Sequence, residues 1–95
     1  MNIRYYIDSY TGLPHIYGHN VSEREVEAVL RRPLENRPGE RESRVMIGRT
    51  PQGRILRVII SIDWEGQGVF VITAYDLAGK ALKAFRRRMK GRGQR

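Results

Sequence analysis

Residues 54–62, near the middle of the chain, carry apolar side chains on both faces of an extended strand. Leu56, Val58, Ile60 and Ile62 alternate on one side, and Ile55 and Ile59 alternate on the other. Successive side chains of a strand point to opposite faces, so a strand that is apolar on both sides needs cover on both sides. The segment therefore predicts the central strand of a sheet that is packed on its two faces.

Two neighbouring segments predict an antiparallel meander around this strand. Residues 44–50 predict the strand before it, and Pro51-Gln52-Gly53 predicts the tight turn that joins the two strands. Residues 63–68 predict the turn that follows the central strand. Residues 69–75 alternate in the same way and predict the third strand. The short alternation from Ile3 to Ile7 predicts an N-terminal strand.

Two helices are predicted on either side of the meander. Ser22 and Glu25 form a capping box that opens a helix over residues 23–32, which ends before Pro33. Asp76 is expected to cap a second helix over residues 77–90. Its apolar stripe is Ala78, Ala81, Leu82, Phe85 and Met89.

The remaining segments predict irregular structure. Residues 36–43 are polar around Pro38-Gly39 and predict a loop, while residues 15–19 predict a loop or a single helical turn. The chain is thus expected to form one α+β domain over residues 1–90. Its order is strand-helix-strand-strand-strand-helix, with helices packed on an antiparallel sheet of three to four strands. Residues 91–95 predict a basic disordered tail.

Composition excludes several classes of protein. The chain has no cysteine, which rules out a disulfide scaffold, a thiolate zinc site and a thiol nucleophile. It has no apolar run of the roughly 20 residues that span a bilayer and no signal peptide, so we expect a soluble cytoplasmic protein without a membrane partner. It also lacks a phosphate-binding loop, a dinucleotide fingerprint and the metal-binding motif that would accompany a histidine pair. We expect neither cofactor nor metal.

Positive charge is concentrated at the C-terminal end. The net charge is +8, and residues 76–95 carry eight Lys and Arg against one Asp. A nearly neutral body with one strongly basic end is typical of a protein with a polyanionic partner, such as RNA, DNA or an acidic protein. The alternative is a solvated end that only increases solubility.

Three segments resemble the BrnT toxins of the RelE-like superfamily. They are Gly18-His19-Asn20-Val21-Ser22 before a helix, Ile47-Gly48-Arg49-Thr50 with Gly53-Arg54-Ile55-Leu56, and Val71-Ile72-Thr73-Ala74-Tyr75 before a basic helix. This resemblance implies a RelE-like fold and metal-independent RNA cleavage. It also implies a cognate antitoxin that blocks the toxin, with operator DNA contacted only through the antitoxin.

Metal-independent cleavage by the RNA 2′-hydroxyl needs a base, an acid and cations that stabilise the phosphorane. The predicted catalytic residues are His19, because histidine can act as acid or base, Arg49 and Arg54 beside the hairpin turn, and Tyr75. The predicted RNA-binding residues are His15, Lys80, Lys83, Arg86, Arg87 and Arg88.

Two other functions stay open. Gly18 and Tyr75 stand where BrnT toxins have basic residues, which favours a non-catalytic RNA- or ribosome-binding module of the same fold. A DNA-binding protein ranks last, because no pair of helices around a short turn is evident.

Overall fold

The computed structural model describes residues 2–62 and 68–93 and confirms the α+β class. Its strands are β1 (Asn2–Tyr5), β2 (Glu35–Pro38), β3 (Ser43–Arg49), β4 (Ile55–Ile62) and β5 (Gly68–Asp76). Its helices are a 3₁₀ helix (His15–His19), α1 (Glu23–Arg31) and α2 (Gly79–Gly93). None of the helices in this described part is long and apolar enough to cross a membrane.

The sheet has five strands in the order β1-β5-β4-β3-β2. β4 lies at its centre, as predicted, but the expected three- to four-stranded antiparallel sheet was wrong in two respects. β1 runs parallel to β5, with Ile3 opposite Val69, so the sheet is mixed. The fifth strand is β2, which joins the outer edge beside β3.

β2 lies in the segment 36–43 that was predicted to be a loop. It pairs with β3 from Glu35 opposite Ile47 to Pro38 opposite Arg44. The segment lacks an apolar alternation because β2 is an edge strand, held by main-chain hydrogen bonds and by the buried Glu35 side chain. Proline is acceptable there, since the outer side of an edge strand has no ladder to join.

The larger core lies between α1 and the sheet. Val26 and Val29 of α1 are fully buried with Leu56 and Val58 of β4. The capping box at Ser22 is present, so the predicted start of this helix is confirmed. Ile62, expected on the same face, is 51% exposed because β4 ends there, beyond the reach of α1.

A smaller core lies on the opposite face, where Phe85 of α2 packs with Leu77 and Ile47. The predicted bounds of α2 were wrong at both ends. Leu77 follows the last residue of β5 and still donates its main-chain N–H to Ile55 of β4, so the helix begins only at Gly79 and Asp76 does not cap it. The helix runs to Gly93, so residues 91–93 are not a disordered tail.

The connections between the elements agree in part with those predicted from the sequence. A main-chain hydrogen bond from Gly53 to Thr50 closes the predicted turn between β3 and β4. β1 ends at Tyr5, two residues early, and Ile7 forms an isolated bridge with Pro14. The turn predicted at 63–68 lies outside the described residues except for Gly68.

Candidate functional site

Four aromatic rings lie in a row beside β5. β1 covers only the first half of β5, from Gly68 to Val71, and the 3₁₀ helix packs against β5. The ring centroids are 5.8 Å apart for Tyr6 and His15, 5.2 Å for His15 and His19, and 5.9 Å for His19 and Tyr75. We call Tyr6, His15, His19 and Tyr75 the ring row. Three of its members were predicted site residues.

Asp8 supports one end of the ring row. Its Oδ2 lies 3.6 Å from Nδ1 of His15. The main-chain N–H of Tyr10 donates to the other carboxylate oxygen and, with the contribution of His15, holds the pKa of Asp8 below its ordinary value. A carboxylate on Nδ1 orients the imidazole and leaves Nε2 for other partners.

Arg54 fixes the other end of the row. Its Nη1 donates to the carbonyl oxygen of Asn20 at 2.8 Å, and its Nε and Nη2 donate to Asp76 at 3.1 and 3.0 Å. Asn20 follows His19 and Asp76 follows Tyr75, so Arg54 joins the two ring-bearing segments. All three guanidinium nitrogens are engaged within the chain, so Arg54 positions these two segments, and its predicted contact with phosphate stays a prediction.

Glu25 completes this contact, because Nη1 of Arg54 also lies 2.9 Å from both of its carboxylate oxygens. Burial opposes the ionisation of Glu25. The hydrogen bonds from the Ser22 main chain and from Arg54 outweigh that effect and keep the pKa of Glu25 below its ordinary value. Through Glu25, Arg54 therefore connects the capping box of α1 to the two segments that carry His19 and Tyr75.

The basic residues of α2 divide into two groups. Arg88 makes a two-pronged ion pair with the buried carboxylate of Glu35 at 2.7 and 2.9 Å, and Arg92 joins at 3.3 Å. Arg88 therefore attaches α2 to β2, and its predicted contact with RNA stays a prediction. The predicted RNA-binding residues that are exposed on α2 are Lys80, Lys83, Arg86 and Arg87.

Arg49 is exposed at the end of β3, and no contact in the described part of the chain ties it to the ring row. Two members of the site were missed from the sequence, Tyr6 and Asp8. The sequence carries no local signal for them, because the main-chain hydrogen bond from His15 to Tyr6 joins residues nine positions apart.

The site is suited to proton transfer and to stacking. It presents two imidazoles, one backed by a carboxylate, and a tyrosine at each end. Tyr6 is 47% exposed and the side chain of His15 is 37% exposed, so both can be reached from solvent. Among residues 2–62 and 68–93, no three His, Asp or Glu side chains are grouped so that they could hold a metal ion.

The fold and the site define a small α+β protein with a histidine–tyrosine row on the edge of a mixed sheet. The chain belongs to the family described as a domain of unknown function, DUF4258, which matches residues 18–76. That match includes His19, Arg54 and Tyr75 but ends before α2. No curated protein and no solved structure matches this chain.

Proposed function

We propose that this protein is a ribonuclease toxin with a RelE-like fold, which cleaves RNA without a metal and is neutralised by a cognate antitoxin. The observation that carries the proposal is the ring row, in which His15 and His19 lie side by side with Asp8 behind one of them. Two imidazoles within reach of one phosphodiester can supply both the base and the acid of the reaction.

The roles follow from the contacts. His15, which lies beside the Asp8 carboxylate, accepts the proton of the 2′-hydroxyl as the 2′-oxygen attacks phosphorus. His19 donates a proton to the departing 5′-oxygen, so the bond from phosphorus to that oxygen breaks. The products are a 2′,3′-cyclic phosphate and a 5′-hydroxyl. Tyr6 and Tyr75 stack on the flanking bases.

Cations are needed for the phosphorane and for the rest of the RNA. Arg49 and Lys80 are exposed and have no ion pair in the described part of the chain, so both can contact RNA phosphates, and we assign them this role. α2 begins four residues after Tyr75. Its exposed lysines and arginines can continue the phosphate contacts away from the ring row.

The partners in this proposal are RNA and an antitoxin, with operator DNA contacted only through the antitoxin. It places the protein in the cytoplasm. These parts rest on the resemblance to BrnT toxins and on the excess of positive charge in residues 76–95. Co-expression with the product of a neighbouring small gene tests them, and a tight complex of the two proteins is the expected result.

Cleavage is tested with an end-labelled single-stranded RNA in EDTA, with and without ribosomes. We expect ends that carry a 2′,3′-cyclic phosphate or a 3′-phosphate. His15→Ala and His19→Ala should each lower the rate about 10²–10⁴-fold. Tyr17→Phe is the matched control, because Tyr17 lies on the same 3₁₀ helix but its hydroxyl donates to Glu23 instead of joining the ring row.

RNA with a 2′-deoxy sugar at the scissile position should bind and stay intact. Cleavage of that RNA, or a requirement for magnesium, would overturn the mechanism. Wild-type protein that binds RNA but does not cut it under any of these conditions would favour the second candidate, an RNA- or ribosome-binding module. The observation in favour of that module is Tyr75, an aromatic residue at a position where BrnT toxins have a cation.

A further inference from the structure

A groove of about 960 Å³ opens on the face of the sheet opposite α1. α2 forms one wall through Ala81 and Ala84, and the residues that connect β2 to β3 form the other. Its floor is aliphatic, with side chains that include Val45, Ile59 and Ile72. Ile72 is 37% exposed, so apolar surface of the sheet is left open to a partner.

Arg57 of β4 lies within this groove. Its Nε is shielded from solvent and has no hydrogen-bond partner among the described residues. A shielded donor without an acceptor destabilises the folded state, because it has lost its hydrogen bonds to water without replacement. Rotating the guanidinium so that its fork faces an incoming carboxylate therefore breaks no hydrogen bond and relieves this cost.

The chemistry of the lining separates a protein ligand from a nucleic acid. Among the described residues that line the groove there is no aromatic side chain on which a base could stack, unlike in the ring row. Its rim carries both signs of charge, with Arg37 and Arg41 beside Glu40 and Glu42. These carboxylates repel a phosphate backbone, whereas a rim of mixed charge around an apolar centre is typical of protein interfaces.

We infer that this groove binds a segment of a partner protein in which an Asp or Glu is flanked by aliphatic side chains. The carboxylate pairs with Arg57, and the aliphatic groups cover Ile59 and Ile72. The inference rests on the proposed function only for the identity of the partner, which is then the antitoxin. The groove is separate from the ring row, so the partner can bind here through contacts that RNA does not use.

The test is a selection from a displayed library of random peptides against the full chain. We expect the enriched peptides to share an acidic residue between aliphatic ones. Their synthetic versions should bind at least about tenfold more weakly to Arg57→Gln, which loses the charged fork. They should also bind more weakly to Ala81→Trp, which fills the groove from an exposed position on α2. Arg31→Gln, on the opposite side of the molecule, is the matched control.

Far-ultraviolet circular dichroism shows whether Arg57→Gln folds. If it does not fold, Ala81→Trp still tests the groove. Peptides that bind both groove variants as well as the wild type, or no enrichment at all, would overturn the inference. So would single-stranded RNA that shifts the NMR signals of the Ile59 and Ile72 methyl groups on the groove floor, or self-association that Arg57→Gln abolishes. If the protein cleaves RNA but selects no peptide that binds the groove, only the inference about the groove is refuted. If it selects such peptides but cleaves no RNA, only the proposed nuclease activity is refuted.

Discussion

At the start of α1, Ser22 and Glu25 satisfy each other's main-chain N–H groups, at 3.2 and 3.0 Å. Ser22→Ala removes one acceptor and should lower the free energy of unfolding by about 1 kcal/mol. Urea denaturation measures this change. Ser9→Ala, in an exposed turn, is the control and should stay within about 0.5 kcal/mol of the wild type. Equal midpoints for the two variants would contradict the role of the cap.

The residue scale also shows where sequence reasoning ends. The capping box could be predicted because its partners are three residues apart, and each contributes a local preference. The contacts of Arg54 within the chain could not be predicted, because Asn20, Glu25 and Asp76 lie 34, 29 and 22 residues away. An arginine beside a turn has the same local pattern whether it binds phosphate or joins two segments of its own chain.

At the scale of elements, α1 crosses β3 at Gly48. A Cβ added there would lie 2.9 Å from Cγ1 of Val29 and 3.3 Å from its Cα. Gly48→Ala should therefore force α1 away from the sheet and lower stability by about 1–3 kcal/mol. Thermal unfolding measures the effect, and an unchanged midpoint would mean that the two elements do not approach so closely.

Gly91→Ala tests how far α2 extends, and in contrast to Gly48→Ala it should increase stability. Apart from its chain neighbours and the backbone of its own helix, no described atom lies within 4 Å of the added Cβ, and Gly91 is inside the helix. Alanine there should increase stability by about 0.5–1 kcal/mol, because it loses less main-chain entropy than glycine on folding. In a disordered tail the same substitution would leave the thermal midpoint unchanged.

The ion pair between Arg88 of α2 and Glu35 of β2 should make the stability of the protein depend on pH. The hydrogen bond from Arg88 holds the pKa of Glu35 below its ordinary value, although burial opposes it. An unfolded glutamate titrates near pH ~4.3, so below that pH the unfolded state binds more protons than the native state. The stability that this pair contributes is therefore present above about pH 4.3 and is lost as the pH falls through the native pKa.

Glu35→Gln should cost about 1–2 kcal/mol at neutral pH, because Arg88 is partly exposed and can turn to solvent. The variant should lose less stability than the wild type between about pH 5 and pH 3. Urea unfolding across this range provides the comparison, with exposed Glu40→Gln as the control. Parallel stability curves for Glu35→Gln and the wild type would show that the pair does not set the acid sensitivity.

Elements with strong internal patterns were predictable and edge elements were not. β4, β3 and β5 alternate in the sequence because they bury side chains on the sheet faces. β2 has no such alternation, since its pairing depends on the main chain of β3. The parallel direction of β1 depends on Val69 and its neighbours, more than 60 residues away, and the four residues of β1 carry no signal for direction.

At the scale of the whole molecule, the exposed charges of α2 should control the salt dependence of RNA binding. Lys83 and Arg87 are one helical turn apart and face the same side. Replacing both by glutamine should flatten the log–log slope of affinity against salt by up to about 1.4 for single-stranded RNA, at about 0.7 per lost phosphate contact. Arg24→Gln with Arg31→Gln on α1 is the control. Equal slopes for the two double variants would show that these residues of α2 do not contact RNA.

The parallel pairing of β1 with β5 has a consequence for the time at which the site appears during protein synthesis. The ribosome makes β1 and the 3₁₀ helix first, but their partners on β5 are among the last residues of the sheet to emerge. Contacts between distant parts of a chain also form slowly. A nascent chain therefore has no ring row until Tyr75 has left the exit tunnel, and a truncated product of interrupted translation never acquires one.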